Sequence, residues 1–308
     1  MSLSVVMPFL NEGDNVRKTL ESIKATITSD IEIILINDAS DDGYDYEKYA
    51  KIFEAEYIRN SFRIGVAACR ELGIKIASYD NIVLLDAHMQ FYDSGWDTHV
   101  AHLIQSDPRT IFCSKSVHLN TDWEKVEAAP LGCGVYIPVK EPKDFQHINW
   151  LLEPTQDLTI PCIYGAFYCF RKAFYEEIGG LVGLLEWGGD EQFLSAKAFM
   201  AGGRCALIPE LAVGHVYRES CPYAFTPALN LYNQLYIASV LQPEDQAQQY
   251  VAAILAGSVL EAGNEGVMQM LSQSAPEIAQ HRAYYLEHLS TRSFSDFLAF
   301  NREFVDRS

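Results

Sequence analysis

Short apolar runs alternate with helix-period segments from residue 3 to residue 88, and this alternation restricts the chain to few folds. Leu3 to Phe9 is a β-rich run closed by Asn11-Glu12-Gly13. Asn15 to Ala25 places Val16, Leu20 and Ile23 on one helical face, because apolar residues three and four apart share a side of a helix. Ile31 to Ile36 predicts a second strand, Tyr46 to Phe53 a helix, Ala55 to Ile58 a third strand, Gly65 to Ser78 a helix and Asn81 to Leu85 a fourth strand. This order is the pattern of an α/β fold, a Rossmann-like and mostly parallel sheet flanked by helices. In such sheets ligands gather at the carboxyl ends of the strands. The polar clusters at 11–12, 37–42 and 86–88 fall at those ends.

Downstream, Trp96 to Ser106 reads as a helix and Thr110 to Val117 as a strand. Leu119 to Thr159 loses periodicity and reads as an irregular, acceptor-contacting stretch. Ile163 to Arg171 predicts a strand, followed by helices at Lys172 to Ile178 and Glu191 to Met200, each closed by a Gly-Gly pair. Cys205 to Ile208 is a short strand. Pro227 to Leu241, Ala247 to Leu271 and Ile278 to Phe304 read as helices, so the chain divides into a domain at 1–225 and a helical C-terminal extension at 226–308.

Charge and cysteine usage narrow the function. A net charge of −18 excludes nucleic acid as a partner, since phosphate backbones need a basic face. No apolar run is long enough to span a bilayer, and Met1 to Pro8 lacks the basic region of a signal peptide. The seven cysteines are scattered without a C-x-x-C pair and read as reduced, buried residues, so a cytoplasmic location is expected. The apolar face of Tyr232 to Leu241 suits a core or subunit contact, such as a homo-oligomer, better than peripheral membrane contact.

Asp86-Ala87-His88 ends the fourth strand. Residues i and i+2 of an extended chain point the same way, so a carboxylate and an imidazole there can share a cation. A strand-end turn with Asp as a local cap is the plainer alternative. Farther on, Trp187-Gly188-Gly189-Asp190-Glu191 runs into a helix, and Gly214-His215-Val216-Tyr217-Arg218 offers a third ligand. A core histidine satisfied at both nitrogens is the alternative for His215.

With these motifs in this order, the chain resembles glycosyltransferases of the GT-A fold, family 2 type, and its catalytic half is most similar to the polypeptide N-acetylgalactosaminyltransferases. The resemblance spans roughly residues 3–225. It rests on Pro8 with Asn11-Glu12, Asp38, Arg63-Ile64-Gly65, Asp86-Ala87-His88, Trp187-Gly188-Gly189, His215-Val216-Tyr217-Arg218 and Pro222-Tyr223. It implies transfer of a hexose or N-acetylhexosamine from a UDP-sugar to an acceptor hydroxyl, with Mn²⁺ or Mg²⁺ on the diphosphate. Asp86, His88 and His215 would be the metal ligands, a nitrogen-rich set that fits Mn²⁺ better than Ca²⁺. Pro8, Glu12 and Asp38 would face the nucleoside, with Glu12 near the ribose and Asp38 a free acceptor for the uracil N3 hydrogen or a ribose hydroxyl.

Arg63 and Arg218 would clamp the diphosphate, with Tyr223 donating its hydroxyl and 218–225 closing as a lid. Trp187 would wall the sugar, and Gly188 and Gly189 would let backbone approach the ligand. Asp190 would hold sugar hydroxyls. Glu191 stands where the N-acetylgalactosaminyltransferases have an amide and inverting family 2 enzymes have a carboxylate base, so both stereochemical outcomes stay open. Without a secretory anchor or lectin domain in the sequence, the expected acceptor is a polysaccharide, glycolipid or capsule precursor.

Three other functions fit the sequence less well. A catalytically silent sugar-nucleotide-binding scaffold is disfavoured by the complete set of motif residues. A nucleotidyltransferase would need a Gly- and Lys/Arg-rich loop after the first strand. A dinucleotide oxidoreductase would need G-x-G-x-x-G there. Phe9 to Val16 supplies neither.

Overall fold

The structure, a computed structural model, describes residues 2–138, 147–220, 222–224, 226–257 and 264–305. Its first half follows the alternation read from sequence. Strands β1 (Ser4–Phe9), β2 (Glu32–Asn37), β3 (Glu56–Arg59) and β4 (Asn81–Leu85) are parallel, joined by helices α1 (Asn15–Thr26), α2 (Tyr46–Phe53) and α3 (Val66–Ile76). All six residues of β1 are buried, as expected for a strand in the middle of a sheet covered on both faces.

The second half adds β5 (Met89–Phe91), α4 (Trp96–Ser106), β6 (Thr110–Leu119), β7 (Val135–Tyr136), β8 (Asn149–Trp150), β9 (Thr159–Ile160), β10 (Phe167–Arg171), α5 (Lys172–Glu177), α6 (Asp190–Met200) and β11 (Arg204–Val216). The sheet order is β3-β2-β1-β4-β10-β6-β11-β5, with β9 also on β11. β10 runs antiparallel between β4 and β6, while β6 and β11 are parallel.

Several boundaries differ from the sequence reading for identifiable reasons. β11 continues to Val216 instead of ending at Ile208; its register shifts between Ile208 and Ala212, where Pro209 has no N–H for the ladder. β10 starts at Phe167; upstream of it the Ile163 N–H donates to the Ser195 hydroxyl rather than to a neighbouring strand. The irregular stretch contains the β7–β8 pair, and its residues 139–146 lie outside the described ones.

After α7 (Pro227–Val240), the expected second tail helix divides into α8 (Glu244–Gly257) and α9 (Asn264–Gln273), with 258–263 outside the described residues. The third divides into α10 (Ala275–His288) and α11 (Phe294–Val305). Ser293 and Asp296 cap that break reciprocally, each side chain accepting the other's backbone N–H. One hydrophobic core joins the sheet to the tail and includes Val6, Leu84, Leu235, Ile278 and Phe297.

α3 lies directly on β1. A Cβ at Gly73 would come 2.2 Å from Val6 Cγ1, and Val6 is fully buried in a central strand. Alanine gains about 1 kcal/mol of helix propensity over glycine, whereas overpacking costs about 1–3 kcal/mol. We therefore expect Gly73→Ala to lower stability by up to roughly 2 kcal/mol despite the better helix former, measured as a lower urea midpoint at unchanged slope.

Candidate functional site

The carboxyl ends of β1, β2 and β4, the turn before α3, the segment entering α6 and the end of β11 enclose one cavity of about 320 Å³. The twelve residues given a side-chain role from sequence line it: Pro8, Glu12, Asp38, Arg63, Asp86, His88, Trp187, Asp190, Glu191, His215, Arg218 and Tyr223.

Asp86 and His88 leave β4 two residues apart. His215 reaches them because β11 pairs with β5, placing His215 opposite Met89. One ligand atom from each of the three lies within 4.8 Å of the others, and the two imidazole Nε2 atoms face each other at 3.0 Å. Burial outweighs Asp86 and pushes the His215 pKa down to about 4, so its imidazole is neutral and its lone pair available. Burial also opposes the Asp86 charge, but His215, His88 and Arg70 outweigh it and hold the carboxyl below its ordinary range. His215 Nδ1 is buried without a hydrogen-bond partner. Two imidazoles and a carboxylate fit a divalent transition cation such as Mn²⁺.

Arg70 was not anticipated. It is nearly fully buried on the inner face of α3, bonded to Asp190, 3.4 Å from Asp86 Oδ1 and 3.3 Å from the Gly165 carbonyl. Burial opposes its charge, and Tyr168 with the carboxylates of Asp190, Asp86 and Glu191 more than offsets that cost. The available signal was an arginine in register with the apolar positions Ala67 and Ile74, where a charge has to find partners.

The candidate phosphate-binding arginines are held by carboxylates of the chain itself. Arg218 forms a fork on Glu12, whose Oε2 is also 3.2 Å from His88 Nδ1. Burial raises the Glu12 pKa, yet His88 and Arg218 bring it down to about 2. Glu12 is thus committed to the Arg218 guanidinium and the His88 imidazole rather than free at a ribose position. Arg63 pairs with Glu186 at 2.8 Å, donates to the Ala224 carbonyl and stacks over the Tyr223 ring at 5.1 Å. This ties the 222–224 segment to the cavity mouth; Cys221 and Phe225 of the expected lid lie outside the described residues. Asp38 differs from the free acceptor read from sequence. Its carboxylate already takes the Ile64 and Gly65 backbone N–H groups and the Asn60 amide, pinning the turn that presents Arg63.

Trp187 stands at the rim, 49% exposed. The two glycines after it do not open backbone toward a ligand. Both have positive φ, and a Cβ would strike Asn230 from Gly188 and Ile237 from Gly189, so they make room for α7. Asp190 and Glu191 form the first turn of α6. Glu191 presses on bare backbone, since a Cβ at Gly165 would come 2.2 Å from its Oε1. Burial first, and the Asp190 carboxylate second, push the Glu191 pKa well above the ordinary value, with Arg70 working against them.

The profile described as Glycosyl transferase family 2 matches residues 4–179. The chain is 26% identical over 238 residues to human polypeptide N-acetylgalactosaminyltransferase 14, covering 72% of this chain and 42% of that protein. It is 27% identical over 289 residues to human polypeptide N-acetylgalactosaminyltransferase 10, covering 88% and 47%. The chain therefore spans less than half the length of these relatives. A solved structure of GalNAc-T7 with UDP, GalNAc and Mn²⁺ superposes with a TM-score of 0.72 at 22% identity, over 97% of this chain and 56% of that one. That likeness establishes the fold.

Arg70→Met leaves the buried Asp190 without its counter-ion, so unfolding free energy should fall by about 3–5 kcal/mol; denaturant titration checks it, and a loss below about 1 kcal/mol would contradict the arrangement. For Glu191 the folded pKa lies above its ordinary 4.5, so ionisation works against the fold. Glu191→Gln should then be more stable than the parent at alkaline pH. The advantage should shrink as pH falls through the raised pKa and vanish below about 4.5, measured as a series of melting temperatures against pH.

Proposed function

The chain belongs to glycosyl transferase family 2, and on that premise we propose that it transfers a hexose or N-acetylhexosamine from a UDP-sugar to an acceptor hydroxyl, using Mn²⁺ or Mg²⁺. The observation that carries this reading is the convergence of Asp86, His88 and His215 with Arg63 and Arg218 on a single cavity. A metal-ligating trio beside two guanidiniums suits a nucleoside diphosphate, an anion that leaves with growing charge. Asp86, His88 and His215 would hold the cation, which when bound supplies positive charge to the departing phosphates.

Arg63 and Arg218 would take the diphosphate oxygens in exchange for Glu186 and Glu12. The turn pinned by Asp38, together with Pro8, would shape the nucleoside end. Trp187 at the rim would stack on a sugar ring, and Asp190, fixed by Arg70, would accept from sugar hydroxyls. Glu191 forms no ion pair among the described residues, and its raised pKa lies nearer the range useful to a general base. We assign it the proton of the acceptor hydroxyl, which favours inversion.

Residues 1–225 would form the transferase domain and 226–308 its helical extension. The six described cysteines are free and buried, which supports a reducing, cytoplasmic location; among the described residues no helix is long and apolar enough to cross a membrane. A polysaccharide, glycolipid or capsule precursor is the acceptor class we favour.

Calorimetric titration of UDP with and without Mn²⁺, repeated on His215→Ala, tests the donor site. Micromolar binding is expected only with both the metal and His215, each omission weakening it at least about tenfold, or about 1.4 kcal/mol. Binding indifferent to both, or no binding under any condition, would overturn the reading.

A further inference from the structure

The segment 182–189 delivers Trp187, Asp190 and Glu191 to the cavity but belongs to no strand, so something else must hold it. Asn233 of α7 does so. Its side chain, 1% exposed, bonds backbone in the way a neighbouring strand would: Oδ1 accepts the Leu185 N–H at 2.8 Å, and Nδ2 donates to the carbonyls of Leu185 at 2.7 Å and Gly188 at 2.9 Å. The Trp187 carbonyl lies 3.4 Å from the same Nδ2. Around this contact the segment is pared to glycine. A Cβ at Gly188 would come 2.0 Å from Asn230 Nδ2, and one at Gly183 would come 2.1 Å from the Tyr236 ring. Opposite α7, Glu186 forms a single parallel β-bridge with Gly65, its carbonyl accepts the Ala67 N–H at 3.4 Å, and its side chain pairs with Arg63.

We infer that Asn233 is a positioning residue for the sugar side of the cavity, setting Trp187, Asp190 and Glu191 from a helix that lies beyond the family match at 4–179. This inference rests on the proposed transferase reading. The metal trio sits on β11 and the chain between β4 and β5, and none of its side chains bonds the Asn233 amide. Losing that amide should therefore separate chemistry from nucleotide binding.

The test compares Asn233→Ala with Asn301→Ala. Asn301 makes an equivalent buried clasp on the N–H and carbonyl of Ile137, away from this segment. Asn233→Ala should keep the UDP–Mn²⁺ dissociation constant within about twofold and lower kcat for donor hydrolysis or transfer by roughly a hundredfold, the scale of an ångström misplacement. Asn301→Ala should keep kcat within about threefold at a comparable loss of melting temperature. Gly188→Ala attacks the contact from the other side and should reproduce the Asn233→Ala split if that variant folds poorly.

Equal kcat losses in Asn233→Ala and Asn301→Ala, or parallel losses of UDP affinity and kcat in Asn233→Ala, would overturn the inference. If the parent chain neither binds UDP nor turns over a donor, the proposed function has failed. Amide exchange then decides this point: faster exchange confined to 183–191 in Asn233→Ala supports the placement, and unchanged exchange there overturns it.

Discussion

The buried Arg70 guanidinium is the interaction on which the site's construction depends. It rises from α3 and meets Asp86 at the end of β4, Asp190 at the start of α6 and the Gly165 carbonyl in the chain entering β10. These elements are far apart in sequence and meet in the sheet only through β4 and β10. A buried ion cluster of this kind is a poor source of net stability, because desolvation cancels much of the attraction. Its effect here is to allow one arrangement, since any shift of α3 or α6 strands a charge in low dielectric. Arg70 also permits several carboxylates to gather where like charges would otherwise repel. Asp86 remains ionised beside two imidazoles, while Glu191, one residue farther from the guanidinium's bond, bears the cost as a raised pKa.

Local periodicity explains what the sequence disclosed. Each crossover from β1 to β4 is one apolar run followed by one amphipathic helix, and neither needs knowledge of distant residues. Asp86 and His88 were legible for the same reason, because a two-residue spacing sets a shared face on extended backbone. The His215 position needed the motif resemblance, since β5 is three residues long and β11 is interrupted at Pro209. Arg70 escaped because periodicity counts apolar residues and passes over a charge among them. Gly188 and Gly189 were legible as special backbone, but their cause was assigned to a ligand when it is α7; the sequence shows that a Cβ is unwelcome, not which neighbour excludes it. The division of the tail at Ser293 was written in its Ser-x-x-Asp capping pattern, which the long apolar spacing obscured.

The same cavity shows how an acidic chain can prepare for an anion. At a net charge of −18 the long-range field repels a diphosphate, so recognition has to come from nearby groups. Leaving two guanidiniums partly buried and unpaired would be expensive. Pairing Arg218 with Glu12 and Arg63 with Glu186 removes that cost and keeps both forks oriented toward the cavity. It also sets a threshold: under the proposed reading, an incoming anion must outcompete a carboxylate at each fork. A neutral or monoanionic ligand gains little from that exchange. A diphosphate that also engaged the Asp86–His88–His215 trio would gain at several points at once, so under that reading the internal carboxylates would act as a filter for the ligand that brings both the charge and the metal.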